Sequence, residues 1–228
     1  MKLAVFDVDG TLVDSRASIA EAMTGAFQAM ALTPPDYDAI RAIVGMSLAP
    51  AIAALAPGAN ADDLVRLKQE YVGAFARKRA NGYRDPLYDG AEDLLRDLRG
   101  QGWLMGVATG KSRAGVTAIF AAHGLTDLFD AVHCADDGPG KPDPYMLNCG
   151  MAALGAAAED TIMIGDTSHD MAMARAAGVY AQGVDWGFHT EGEMLAGGAH
   201  HVSRSFGELA GALAAFGAKA RAVPADLS

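Results

Sequence analysis

Asp7 and Asp9 stand two residues apart in Asp7-Val8-Asp9-Gly10-Thr11, directly after the apolar run Leu3 to Phe6. If the chain stays extended there, both carboxylates leave the same face and converge on one point. Like charges held that close repel unless a cation or a shared proton relieves them. Mg2+ is the natural relief, because it prefers oxygen ligands and combines a few carboxylates with substrate phosphate. The competing reading is a solvated turn with a helix cap, which is common for a single Asp-Gly pair. That alternative weakens when Asp, Asp, Gly and Thr occur together at fixed offsets behind an apolar strand.

Three more polar clusters lie far along the chain: Thr109-Gly110, Gly140-Lys141-Pro142-Asp143-Pro144 and Gly165-Asp166-Thr167-Ser168-His169-Asp170. Taken singly, each has a plain structural explanation. Lys141 reads as a solvated lysine in a Pro-rich loop. Thr109-Gly110 reads as the cap of a helix from Lys111 to His123. Asp166 and Asp170 read as acidic residues charging the first turn of a helix from Ser168 to Ala177. What sets them apart is where they fall relative to the surrounding elements.

Apolar, strand-forming runs at Leu3 to Phe6, Leu104 to Ala108 and Thr161 to Ile164 each end in one of these clusters, with weaker runs at Ala131 to Cys134 and Val179 to Val184. Helical periodicity occupies Ala91 to Arg99, Arg113 to His123 and Tyr145 to Leu154. Alternation of this kind predicts an α/β fold, a Rossmann-like parallel sheet with helices on both faces. Ligands bind such sheets at the carboxyl ends of the strands, and that is where the clusters fall. The stretch 15–83 breaks the alternation. Its apolar residues recur at helical spacing (Ile19, Met23, Phe27, Met30, then Leu64, Leu67, Tyr71, Phe75), punctuated by Pro34-Pro35 and Pro57-Gly58. It is expected to be a small all-helical domain inserted into a core formed by residues 1–14 and 84–228. The Ala-rich tail from Leu209 to Ala225 is expected to be a last helix with a frayed end.

Composition narrows the function classes. The chain has 228 residues, about half of them hydrophobic and a fifth charged, with a net charge of −10 and no long Lys/Arg block. Nucleic acid and anionic membrane are therefore poor partners. No apolar stretch is long enough for a signal peptide or a membrane span, which predicts a cytoplasmic location. Cys134 and Cys149 have no disulfide or zinc spacing and are expected to be buried small hydrophobes.

Asp7-Val8-Asp9-Gly10-Thr11-Leu12-Val13-Asp14-Ser15 resembles the first motif of the haloacid dehalogenase superfamily in its phosphatase form. Thr109 resembles the second motif, Lys141 the third, and Gly165-Asp166-Thr167-Ser168-His169-Asp170 the fourth, in order across the whole core. The helical insertion sits where members with a helical cap carry it. The resemblance implies a Mg2+-dependent phosphomonoester hydrolase acting through an aspartyl-phosphate, with Asp7 as nucleophile and Asp9 as general acid and then base. It implies Asp7, Asp9 (through its carbonyl) and Asp166 as metal ligands, with Asp170 orienting them from behind. A phosphate monoester is a dianion, so an attacking carboxylate needs its oxygens neutralised. Mg2+, Lys141, the Thr109 hydroxyl and backbone N–H groups near Gly10 and Gly110 are the expected phosphate-binding set.

An acidic residue at position 9 argues for phosphoryl transfer over dehalogenation within the superfamily. A phosphonatase would need a Schiff-base lysine from the cap, and Lys68 and Lys78 there are expected on a solvated helix. The cap segment Arg41-Ala42-Ile43-Val44-Gly45-Met46-Ser47-Leu48 resembles the cap loop of phosphoglycolate phosphatases, which makes Arg41, Gly45 and Met46 candidate specificity residues; a helix-helix connection capped by Gly45 is the equal alternative. The expected partner is a small phosphorylated metabolite such as 2-phosphoglycolate, with a β-phosphoglucomutase-like phosphosugar mutase or a non-catalytic regulatory protein as alternatives. Monomer and dimer are both open. His169 reads as a polar helix-start residue, His200-His201 as residues beside an edge strand, and Trp186-Gly187-Phe188 as loop packing near the cap.

Overall fold

The computed structural model describes residues 1–219. Its sheet has the strands β1 (Leu3–Phe6), β2 (Leu104–Thr109), β3 (Ala131–Cys134), β4 (Thr161–Gly165), β5 (Tyr180–Val184) and β6 (His201–Ser203). All pair in parallel, in the order β3-β2-β1-β4-β5-β6. This is the doubly wound order in which the connections diverge from a central strand pair, opening a crevice at the carboxyl ends.

The central strands read as unbroken apolar runs because both of their faces are covered. Ala4 and Phe6 of β1, with Ile162 and Ile164 of β4, pack into one cluster with α5 (Ala91–Gly100), α6 (Arg113–His123) and α10 (Phe206–Lys219). Leu3, Val5 and Met163, the alternate residues, pack into a second cluster with α7 (Tyr145–Leu154) and α8 (Ser168–Ala176). Helix α5 shows how the sequence selects its own face: Leu94, Leu95 and Leu98 are buried at helical spacing while Glu92 and Arg96 pair on the solvent side. The helix expected in the tail is α10, and the frayed end expected toward Ala225 lies outside the described residues. The remaining helix, α9 (Glu191–Ala196), follows β5.

Between β1 and α5 the chain forms the inserted helical cap: α1 (Arg16–Ala29), α2 (Tyr37–Ala42), α3 (Leu48–Leu55) and α4 (Ala61–Ala80). It has an apolar cluster of its own, built on Ile19, Met23, Phe27, Ile40, Ile52 and Leu67. Helix α4 begins with Asp62 and Asp63 under the Asn60 cap and ends in Arg77-Lys78-Arg79, the arrangement that suits the helix dipole. Entry and exit of the cap run side by side. Asp14 N–H donates to the Pro86 carbonyl at 2.9 Å, and Tyr88 N–H to the Leu12 carbonyl at 3.0 Å. No helix among the described residues is long and apolar enough to cross a membrane.

Candidate active site

Asp7, Thr109 and Asp166 each follow or close a strand at the carboxyl edge of the sheet, on β1, β2 and β4. Parallel register aligns those ends, since Phe6 pairs with both Val107 and Ile164. Side chains more than 150 residues apart thereby meet: the Thr11 hydroxyl donates to Asp166 Oδ1 at 2.7 Å. Asp7, Asp166 and Asp170 are all buried, and one carboxylate oxygen from each lies within 4.8 Å of the others. Lys141 stands among them, buried, its Nζ 2.8 Å from Asp7 Oδ2 and 2.6 Å from Asp170 Oδ1.

Burial and proximity shift these groups together. Burial raises the Asp7 pKa from 3.8 to about 6, with Lys141 pulling it down, Asp170 pushing it up and the Thr109 hydroxyl pulling it down. Burial, Asp170 and Asp7 raise Asp166 well above the ordinary carboxylate value. Burial also works against the Lys141 charge, but Asp170 and Asp7 outweigh it and hold its pKa above the usual lysine value.

One buried ammonium faces three buried carboxylates, so the cluster fits a cation. The polar atoms agree: Asp9 Oδ1 is buried with no hydrogen-bond partner among the described residues, and Asp170 Oδ1 faces only the Lys141 ammonium. Oxygen-only donors of this kind suit a hard divalent ion. The backbone is also shaped around Asp166. A Cβ at Gly10 (φ +81) or at Gly187 would stand 2.2 Å from Asp166 Oδ2.

Several expected residues take a different place or a second one. Asp170 caps its helix as one reading expected and also contacts Lys141. At the third position of α8 its Oδ2 accepts from the Thr167 N–H and hydroxyl, forming a capping box, while Oδ1 faces Lys141. Thr109-Gly110 does not cap α6. Ser112 does, accepting from Gly115 N–H at 3.3 Å. The Gly10 N–H is engaged by the Val13 carbonyl at 2.9 Å, so Gly10 makes room for Asp166 and has no free donor for phosphate. Gly110 packs against the cap loop: a Cβ there would be 2.5 Å from the Met46 carbonyl oxygen.

Gly45 and Met46 line the cavity that opens on Asp7 and Asp9, whereas Arg41 points elsewhere. Its guanidinium pairs with Glu193 at 2.9 Å and donates to the Phe188 carbonyl at 3.3 Å, tying the cap to the core. Lys78 is not simply solvated on α4; it reaches back to Glu21 and to the Ser18 hydroxyl. Lys68 is exposed, as expected. Cys134 is buried, but Cys149 is only partly so.

Two functional contacts were not legible in the sequence. Lys111 Nζ is 2.8 Å from Asp9 Oδ2 and 5.4 Å from the centre of the Phe75 ring on α4. A lysine two residues past Thr109, behind a glycine, was the available signal, yet nothing local says that it turns toward position 9. The Phe188 N–H donates to Asp166 Oδ2 at 2.9 Å while its side chain joins the cap cluster, so the loop read as packing also orients a carboxylate. His169 stands at the start of α8 and meets the Ala42 carbonyl, and His201 lies on the edge strand β6.

Residues 4–184 match the family model described as haloacid dehalogenase-like hydrolase. The chain belongs to that family. It is 36% identical over 212 residues to the probable phosphatase IndB of Dickeya dadantii (strain 3937), covering 92% of each protein. It is 34% identical over 200 residues to the phosphoglycolate phosphatase of Rhodospirillum rubrum, covering 83% of this chain and 82% of that protein. Among solved structures, a hydrolase from Pseudomonas syringae superposes with a TM-score of 0.85 at 25% identity, over 94% of this chain and 99% of the other. The family membership and the two phosphatase relatives fit the carboxylate and lysine cluster described above.

Proposed function

We propose that the chain hydrolyses phosphomonoesters through a covalent phosphoryl group on Asp7. The observation that carries this is Lys141 held between Asp7 and Asp170, with Asp166 alongside, at the edge where three strands end. Asp7, Asp166 and the Asp9 carbonyl would hold Mg2+, with Asp170 behind them, and the ion would neutralise phosphate oxygens and ease repulsion between the substrate and Asp7.

The protein's own groups supply the rest. Lys141 and the Thr109 hydroxyl hold the phosphate so that an Asp7 oxygen lies in line with phosphorus. Asp7 forms the new P–O bond as the bond to the leaving alcohol breaks. Asp9 gives its proton to that alcohol, then takes one from the water that cleaves the aspartyl-phosphate, releasing inorganic phosphate and restoring Asp7. Lys111 beside Asp9 is placed to influence that exchange.

The substrate is a small phosphorylated metabolite. 2-Phosphoglycolate is the reference ester, because a relative carries it in its name. Release of inorganic phosphate from a panel of esters, with and without Mg2+, tests the proposal. Mg2+-dependent release that is abolished in Asp7→Asn is the expected result. Transfer of the phosphoryl group back to a sugar without free phosphate, or full activity in Asp7→Asn, would overturn it.

A further inference from the structure

We infer that the leaving group of the natural substrate carries a planar apolar ring and is not a two-carbon acid; this rests on the phosphomonoesterase reading and specifies its substrate class. The cavity that opens on Asp7 and Asp9 has a volume of about 340 Å³. Cavities of roughly 300–1,000 Å³ take drug-sized ligands, whereas a phosphorylated two-carbon acid would leave most of this wall unfilled. Beyond the phosphate end the wall is mostly apolar and drawn from both parts of the molecule, with Val44 and Met46 of the cap loop, Tyr71 and Phe75 of α4 and Ile119 of α6, and with charged side chains such as Arg84 and Asp85 among them. Tyr71 and Phe75 lie side by side, ring centres 5.2 Å apart, with the Phe75 face turned toward Lys111. Their planes are tilted by 58°, so together they form an aromatic cleft into which a planar ring fits edge-to-face or offset.

The cations around the cavity are poorly placed for a substrate carboxylate. Lys111 lies 2.8 Å from Asp9, which becomes a carboxylate once its proton leaves with the alcohol, so a substrate anion on Lys111 would compete with Asp9. Lys78 is engaged by Glu21 and Ser18, and Arg84 donates to the carbonyls of Arg79 and Tyr83. Lys68 is exposed and Arg79 half-exposed, so an anion held there would stay hydrated and weakly bound. A carboxylate pushed onto the aromatic wall would lose its water without a partner, which is costly, while a ring in the same place loses nothing.

Two pairs of probes test this in the full-length protein with Mg2+. Benzyl phosphate and 2-phosphoglycolate, both esters of alkyl alcohols, compare turnover. Benzylphosphonate and phosphonoacetate, which cannot be hydrolysed at an ester bond, compare binding by calorimetry. The expected result is a kcat/KM at least tenfold higher for benzyl phosphate and a Kd at least tenfold lower for benzylphosphonate. In Phe75→Ala the ring preference should shrink several-fold, chiefly through KM and Kd. Turnover that is equal for the two esters, or that favours 2-phosphoglycolate, overturns the inference. Absence of turnover with the binding preference intact would retain the ring site and sink the hydrolase reading instead.

Discussion

The carboxyl edge of the sheet and the cap wall above it bound the same cavity but are built on opposite terms. At the edge, Asp7, Asp166, Asp170 and Lys141 are buried charges, each fixed by another charge or by a donor such as Thr11 or Phe188. In the cap wall, Met46, Tyr71 and Phe75 are partly buried, Tyr71 and Phe75 are held by packing, and α4 buries only Leu67 fully. A buried charge tolerates little change of position, because its energy depends on direction and distance. An apolar wall tolerates repacking and costs little to reshape. On the proposed function, the reaction belongs to the sheet edge and the choice of leaving group to the cap.

The most severe way to break this comparison is Asp7→Asn. It changes one atom at the rigid edge, and kcat should fall on the order of 10⁴-fold or more, as when a nucleophile is removed elsewhere. Its melting temperature should stay near that of the parent, and steady-state phosphate release beside a thermal melt checks both. Gly110→Ala tests the seam between the two regions. A Cβ 2.5 Å from the Met46 carbonyl must push the cap loop away, and misplacement of that size costs roughly 10²-fold in kcat/KM. A loss smaller than threefold would show that the seam is loose.

Mg2+ should sharpen the contrast through pH. The Asp7 pKa is raised to about 6 from 3.8, so the folded protein binds that proton more tightly than the unfolded chain does. For the metal-free protein this contribution to stability is full below about pH 4 and is lost as pH rises through about 6. If Mg2+ takes the place of that proton, as the proposed function requires, the rise in melting temperature it produces should be larger at pH 7.5 than at pH 5. At one hundred times Kd the gain at neutral pH is about 2.7 kcal/mol. Equal shifts at both pH values would remove Asp7 from the ion's neighbourhood.

The smallest effect is expected where the cap is tied down by exposed charge. Arg41 lowers the Glu193 pKa from 4.5 to about 2, so its contribution is present above about pH 4.5 and fades as pH falls toward 2. The Glu193 side chain is 40% exposed, and solvent screens the pair. Glu193→Gln should therefore cost under about 1 kcal/mol in urea unfolding at pH 7, and less at pH 3.

Much of the fold was legible because its signals are local. Apolar runs ending in Asp7, Thr109 and Asp166 announce strands that stop at polar turns, and the spacing from Ile19 to Phe75 announces helices. Parallel strands buried on both faces leave an unambiguous apolar signature, so the alternating core and the inserted helices could be read directly. Asp170 shows the limit of such reading. Helix capping and a place behind the metal ligands looked like competing explanations, yet one oxygen caps α8 while the other faces Lys141, a contact that neither reading named.

By itself the sequence determined which residue types stand at the strand ends and in what order, because periodicity and turn chemistry act over a few neighbouring residues. Only the tertiary structure decided that Lys111 turns to Asp9, that Arg41 reaches Glu193 instead of the cavity, and that Tyr71 and Phe75 line the cavity shared with Asp7 and Asp9. Those outcomes depend on how helices seat against loops far away in the chain. Side-chain direction across such a gap is set by packing and through-space charge, and neither leaves a periodic trace in the sequence.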